Sequence, residues 1–334
     1  MKNLLKKCTI ACLALTILSC SDDDNNNSNQ PQTIADIAAA NGDFSVLVTA
    51  LNRTGLTTVL DGSGQYTVFA PTNAAFNTFF SSISTPGNTV TVENVPEATL
   101  RAILLYHVIG DEITFSEVPA SGYATTLSTL NSAANGPGIS MFLQKSGGTI
   151  TINGGVDSKG ATTTQSTADI QASNGVIHVV DRVIQIPTIV DHVIDNPEFE
   201  TLQTVVTSPA QSGVLSALSG LTPSAPATLF APNNAAFATA LGSGGFANGA
   251  SDAAVTKVLQ YHVTTAGNVR STQLSNNQVV PMFTDPVQST TIILGTNTVD
   301  VRDSASNLSR VFQADIQASN GVIHGVNRVL QPVL

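Results

Sequence analysis

Apolar side chains mark out the same helical face twice. Leu100, Ile103, Leu104, His107 and Val108 stand at positions i, i+3, i+4, i+7 and i+8. Val255, Val258, Leu259, His262 and Val263 repeat that spacing 155 residues later. Each set is one face of a helix, so the spacing predicts helices running through His107–Val108 and His262–Val263. Upstream, Ile34, Ile37 and Ala38, then Phe44, Leu47, Val48 and Leu51, predict two short amphipathic helices. Phe199 and Leu202 return at the same offset. Tyr66–Phe69 and Thr228–Phe230 read as buried strands. Pro71 and Pro232 end them for want of an N–H, and Thr72 or Asn73, and Asn233 or Asn234, can cap the helices that follow. Phe76, Phe79 and Phe80, and Phe237 with Leu241, would face the core. The offset here has grown to 161, which places six extra residues in a loop around Ser208–Pro226.

Period-two segments follow. Met141–Leu143 and Thr149–Ile152 flank Ser146-Gly147-Gly148; Thr291–Leu294 and Thr298–Val301 flank Gly295-Thr296-Asn297. The eleven residues from Ala168 to His178 then recur unchanged from Ala314 to His324. A β-branched run, an Asn-Gly pair and a second β-branched run predict a tight hairpin, with Asn174-Gly175 and Asn320-Gly321 in a type I′ turn. Val183–Pro187 and Val329–Pro332 close the two copies. Short helices with antiparallel hairpins make an α+β pattern.

Three boxes occur in order in both copies: the strand-to-helix junction at Phe69-Ala70-Pro71-Thr72-Asn73, the pairs Tyr106-His107 and Tyr261-His262, and the terminal Asn-Gly-Val-Ile-His strand. In this order they resemble the fasciclin domain. The resemblance implies two tandem β-wedges of two sheets each, with several small helices packed at one side and end. The expected division is 33–187 and 188–334. It also implies a part in adhesion for the Tyr-His region, carried to Tyr106, His107, Tyr261 and His262 only.

The N-terminus changes the picture from fold to address. Lys2, Lys6 and Lys7 precede an apolar run from Cys8 to Leu18, about 16 Å as a helix and too short for a bilayer of roughly 30 Å. Residues 1–19 therefore read as a signal peptide, and Ile17-Leu18-Ser19-Cys20 resembles a lipobox with lipid attached at Cys20. Residues 20–32, with Asp22 to Asp24 and an Asn-rich run, read as an unfolded tether. An acidic cluster in that place resembles the surface-export signal of Bacteroidetes lipoproteins, which gives an outer-membrane lipoprotein exposed on the cell surface. The membrane would be met through the lipid anchor alone.

Charge and cysteine usage exclude several classes. The 334 residues carry a net charge of −10; without residues 1–19, 13 basic residues become 10 against 23 acidic ones, a net of −13. That is the wrong sign for nucleic acid. All three cysteines lie in the first twenty residues, so disulfides, thiolate metal sites and cysteine nucleophiles are excluded from the folded part. No cofactor or metal motif is present: no phosphate loop, no Gly-x-Ser-x-Gly elbow and no paired histidines at zinc-protease spacing. With no Trp and four Tyr, a stacking sugar platform is disfavoured, while a polar groove stays open.

The histidines carry the remaining chemistry. His107 and His262 lie on apolar stripes, where a buried imidazole with a local hydrogen bond is expected. His178 and His324 share a strand face with Val176 and Val322 and are expected to bond within the core. The leading expectation is a non-enzymatic, surface-anchored adhesion protein that engages extracellular matrix or a cell-envelope polymer or protein. Two alternatives stand beside it: a hydrolase of such polymers acting through the Tyr-His regions, and a passive structural spacer.

Overall fold

The computed structural model describes residues 31–129, 136–242 and 250–334. The expected leader, Cys20 and nearly all of the tether lie outside the described residues, as does the side chain of Leu241. Residues 32–334 form one compact unit.

The first copy opens with α1 (Ile34–Ala40), α2 (Ser45–Arg53) and α3 (Thr57–Leu60), then β1 (Tyr66–Pro71), α4 (Asn73–Ile83) and α5 (Glu97–Tyr106). The strands β2 (Val108–Ile109), β3 (Ser121–Thr129), β4 (Gly138–Ser146), β5 (Thr149–Ile152), β6 (Ala161–Thr164), β7 (Ile170–Ala172) and β8 (Gly175–Val180) complete it. The second copy repeats the order: α6 (Ile189–Asp195), α7 (Glu200–Val206), α8 (Ser212–Ser219), β9 (Ala227–Pro232), α9 (Asn234–Gly242) and α10 (Asp252–Gln260). Then come β10 (Val263–Thr264), β11 (Val279–Pro281), β12 (Ser289–Gly295), β13 (Thr298–Arg302), β14 (Leu308–Ala318) and β15 (Gly321–Val326).

Local chemistry sets the helix starts. Thr33 and Thr188 close capping boxes with Asp36 and Asp191, which satisfies free N–H groups of α1 and α6. Thr72 and Asn233 accept from the N–H groups of Ala75 and Ala236, so they are the caps of α4 and α9. Asn73 and Asn234, the other candidates, instead accept from the N–H of Val46 and of Thr201.

The wedge is built across the whole length of each copy. The strand order is β6-β5-β4-β3-β2-β1-β8-β7 in the first copy and β10-β9-β15-β14-β13-β12-β11 in the second. The first and last long strands pair in parallel, β1 with β8 and β9 with β15, over six residues each. The remaining ladders are antiparallel. In the first copy β3 links the two sheets, by a single pair to β2 and a ladder to β4. In the second copy β14 does this, pairing with β15 at one end and β13 at the other across two register shifts. The bulge there holds Asp315 at a φ of 60°. Each copy keeps its own core: Phe76, Phe44 and Leu100 centre the first, and Phe237, Phe199 and Leu259 the second.

Three expectations are corrected. The helices end at Tyr106 and Gln260; His107 and Tyr261 cap them, and Val108 and Val263 already belong to strands. The chain turns there because the carbonyls of His107 and His262 accept from Phe69 and Phe230, the β1 and β9 strands. Of the six extra residues of the second copy, four lengthen the four-residue α3 into the eight-residue α8, because Val214 and Leu218 sit one turn apart and both bury, and only two widen the turn before β9.

The third correction concerns the hairpin. Ala172 pairs with Gly175 and Ala318 with Gly321, so the two-residue turns are Ser173-Asn174 and Ser319-Asn320, without positive φ at either asparagine. Asn174 serves another purpose. Its Oδ1 accepts from Ile34 N–H at 2.9 Å and its Nδ2 donates to the carbonyls of Leu60 and Gly62 at 2.7 and 2.9 Å. Asn320 accepts from Ile189 N–H at 2.8 Å and donates to Leu218 O at 3.4 Å. The turn thus ties the start of each copy to its end. Asn174→Ala leaves three main-chain groups unpaired, two of them buried, a loss of about 3 kcal/mol in urea unfolding. Asn320→Ala should lose less, and the reverse order would refute this account.

Candidate functional site

Each Tyr-His pair sits where a helix hands over to a strand, and both side chains are buried. His107 Nδ1 donates to Ile103 O at 2.8 Å, and Nε2 accepts from Ile184 N–H at 2.9 Å. His262 repeats this with Val258 O at 2.7 Å and Leu330 N–H at 2.9 Å. The ring is neutral with its proton on Nδ1, and burial pulls both imidazoles down to about 4. Each pins the exit segment of its copy to the end of its helix.

The tyrosines point to the opposite layer. Tyr106 donates to Ser140 O at 2.8 Å and accepts from Asn153 Nδ2 at 2.8 Å; burial drives its phenol well above the usual value. Tyr261 donates to Ser289 O at 2.8 Å, with Ser304 Oγ at 2.9 Å. Together, the pair fastens helix, strand and sheet at one node in each copy.

His178 and His324 form a second duplicated node of the opposite tautomer. Nε2 of each donates to a carbonyl, Ile113 or Val269, at 2.9 Å. Nδ1 accepts from Asp169 or Asp315 N–H at 3.3 Å. The Asp169 and Asp315 carboxylates lie 3.9 and 4.0 Å from these rings. No ion pair results: Nδ1 already uses its lone pair, and burial lowers both imidazoles. Instead those carboxylates accept from Phe115 N–H and from Ser271. All four imidazoles are therefore held on both nitrogens by main chain.

A third cluster, at the join of the copies, was not read from the sequence, because its members come from distant segments. On α6, Asp195 accepts from Ser158 Oγ at 2.6 Å, Asp191 meets Lys159 Nζ at 2.9 Å, and Asn196 just beyond donates to the Tyr123 hydroxyl at 3.1 Å. His192 is edge-on to Tyr123 and faces Gln317 O at 3.3 Å, while Gln317 N–H donates to Ser140 Oγ at 2.9 Å. Among the described residues, His192 Nδ1 and Asp195 Oδ2 are the buried side-chain polar atoms without a partner. Burial pulls His192 down to about 4 and pushes Asp195 up to about 6. Asp191 closes the capping box of α6, and only the fold shows that it also binds the other copy.

The fasciclin domain model matches residues 42–187 and 197–332. The chain belongs to the fasciclin family. Two of the three boxes read from the sequence, the Tyr-His pair and the terminal Asn-Gly-Val-Ile-His strand, form the buried nodes just described. Protein sll1483 of Synechocystis is 35% identical over 162 residues, 48% of this chain and 77% of its own. Transforming growth factor-beta-induced protein ig-h3 of Sus scrofa is 34% identical over 155 residues, 46% of this chain and 19% of its own. The pair of FAS1 domains from the insect cell adhesion molecule Fasciclin I superimposes with a TM-score of 0.51 at 17% identity, covering 86% of this chain and 95% of that one. At that identity the match speaks for the fold, a tandem fasciclin pair.

Proposed function

We propose that this protein is a surface lipoprotein, anchored through Cys20, that presents two fasciclin modules for adhesion to matrix or envelope material. The observation that carries the reading is the engagement of His107, His178, His262 and His324 on both ring nitrogens by main chain. A base so held has no lone pair for a substrate, so the reading assigns no turnover and places function on the outer surface of the wedges. The insect structure that shares this fold is described as a cell adhesion molecule, and the reading puts this chain in the same class.

Two duplicated modules on one anchor also allow two-point attachment, which raises avidity without new contacts. The full chain, immobilised on beads, should show saturable capture of envelope fractions or matrix polymers. Absence of saturable binding to all of them removes the adhesion reading. Cys20→Ser should release the protein from the membrane fraction, and protease added to intact cells should shave the native form.

A further inference from the structure

Ten lysines and arginines lie among the described residues, and the fold uses half of them. Arg53, Arg101 and Lys145 donate to main-chain carbonyls; Lys159 and Arg310 pair with Asp191 and Asp300. The side chains of Arg182, Lys257, Arg270, Arg302 and Arg328 make no hydrogen bond or ion pair among the described residues. Superposing the copies in register leaves one position where both hold a cation. It is Arg182 and Arg328, 146 residues apart, each two residues past the last strand. The single cation kept in both copies is thus one that neither copy needs for folding. The residues before it are used by the fold: Asp181 accepts from Thr162, and Asn327 from Arg310 N–H.

Both arginines line the same groove, between the helix after the first strand and the exit segment. In the first copy it has Thr78 on α4 with Val183 and Gln185, and a volume of about 110 Å³. In the second it has Thr239 on α9 with Val329 and Gln331, and a volume of about 160 Å³. Lys159 adds to the first groove and Asn307 to the second. Asp303, near the second, is consumed by the N–H groups of Ala305, Asn307 and Gln331, so it does not neutralise Arg328.

We propose that these paired grooves bind a sparsely carboxylated polysaccharide, Arg182 and Arg328 each taking one carboxylate. The proposal rests on the adhesion reading and names its partner class. The planar guanidinium fork matches a carboxylate through two parallel hydrogen bonds. The carboxamide beside it suits sugar hydroxyls, and the valine floor suits a sugar's C–H face. A net charge of −10 repels densely charged polyanions, so the ligand's charges must be widely spaced along a neutral backbone. Two equivalent grooves in one compact unit fit a polymer whose acidic group recurs.

The test uses the immobilised full chain with three probes: glucuronoxylan, the same xylan stripped of its glucuronate, and poly-L-glutamate. Glucuronoxylan should bind at least about tenfold more tightly than either other probe. Arg182→Gln and Arg328→Gln should each weaken it about tenfold or more, and together abolish saturable binding, as loss of two-point attachment requires. Arg182→Lys, which keeps the charge and loses the fork, should fall between. Arg302→Gln should bind as the parent does, and all variants should melt within a few degrees of it.

Equal binding of glucuronoxylan by parent and double variant overturns the proposal. So does equal binding of polyglutamate, which would make an acidic polypeptide the occupant, or no binding of glucuronoxylan by the parent. Envelope capture separates the two readings: a double variant that fails on glucuronoxylan should lose it, whereas undiminished capture leaves adhesion standing and removes the grooves from it.

Discussion

Gly175→Ala should unfold the first copy selectively, with a loss of about 3–5 kcal/mol. Gly175 lies opposite Tyr66 in the parallel β1–β8 pairing, at a φ of 138°. A Cβ there would stand 1.9 Å from Tyr66 O. Backbone strain at such a φ costs roughly 1–3 kcal/mol, and relieving a main-chain clash adds a comparable term. The β1–β8 pairing closes the copy end to end, so its loss opens the wedge.

Gly321→Ala should do the same to the second copy, where the Cβ would stand 2.1 Å from Ala227 O at a φ of 154°. Because the two cores are separate, each variant should melt in two steps, with one near the parental temperature. Gly148→Ala is the control, since nothing lies within 4 Å of its Cβ. A Gly175→Ala chain that melts in one parental transition would contradict the parallel closure.

Stability should also fall steeply from pH 7 to pH 5. His107, His192 and His262 have folded values of about 4 against 6.5 when unfolded. The unfolded chain binds protons first, so their contribution is complete above pH 6.5 and is lost as pH falls toward 4. Each loses about 2 kcal/mol by pH 5. His178 and His324 are lowered too and act in the same direction.

Asp195 has the opposite sign. Its folded value of about 6 lies above 3.8, so its contribution is complete below pH 3.8 and is lost as pH rises through 6. It returns about 1 kcal/mol between pH 7 and pH 5, which three imidazoles outweigh. Calorimetry across this range should show melting points falling by more than about 10 °C. His107→Gln with His262→Gln should start lower and fall less. A flat profile from pH 7 to pH 5 would mean that the imidazoles are not held neutral as described.

The sequence by itself determined the duplication, the helical faces, the family, and two candidate caps at each strand-to-helix junction. These are local or periodic features, and periodicity is fixed by backbone geometry before any tertiary contact forms. The two boxes containing histidine were legible as buried for the same reason, because each lies on an apolar face.

Partners across the fold were not legible. Tertiary structure decided that His107 ends its helix and accepts from Ile184, and that Asn174 turns the hairpin while holding Ile34. It also paired the first long strand with the last in parallel. Each of these joins residues 70 or more positions apart in the chain. It alone brought α6 against Ser158, Lys159 and Tyr123, and set Arg182 and Arg328 in matching grooves. Local propensity carries no information about such distant partners; they are chosen when the chain closes and every buried donor must find an acceptor.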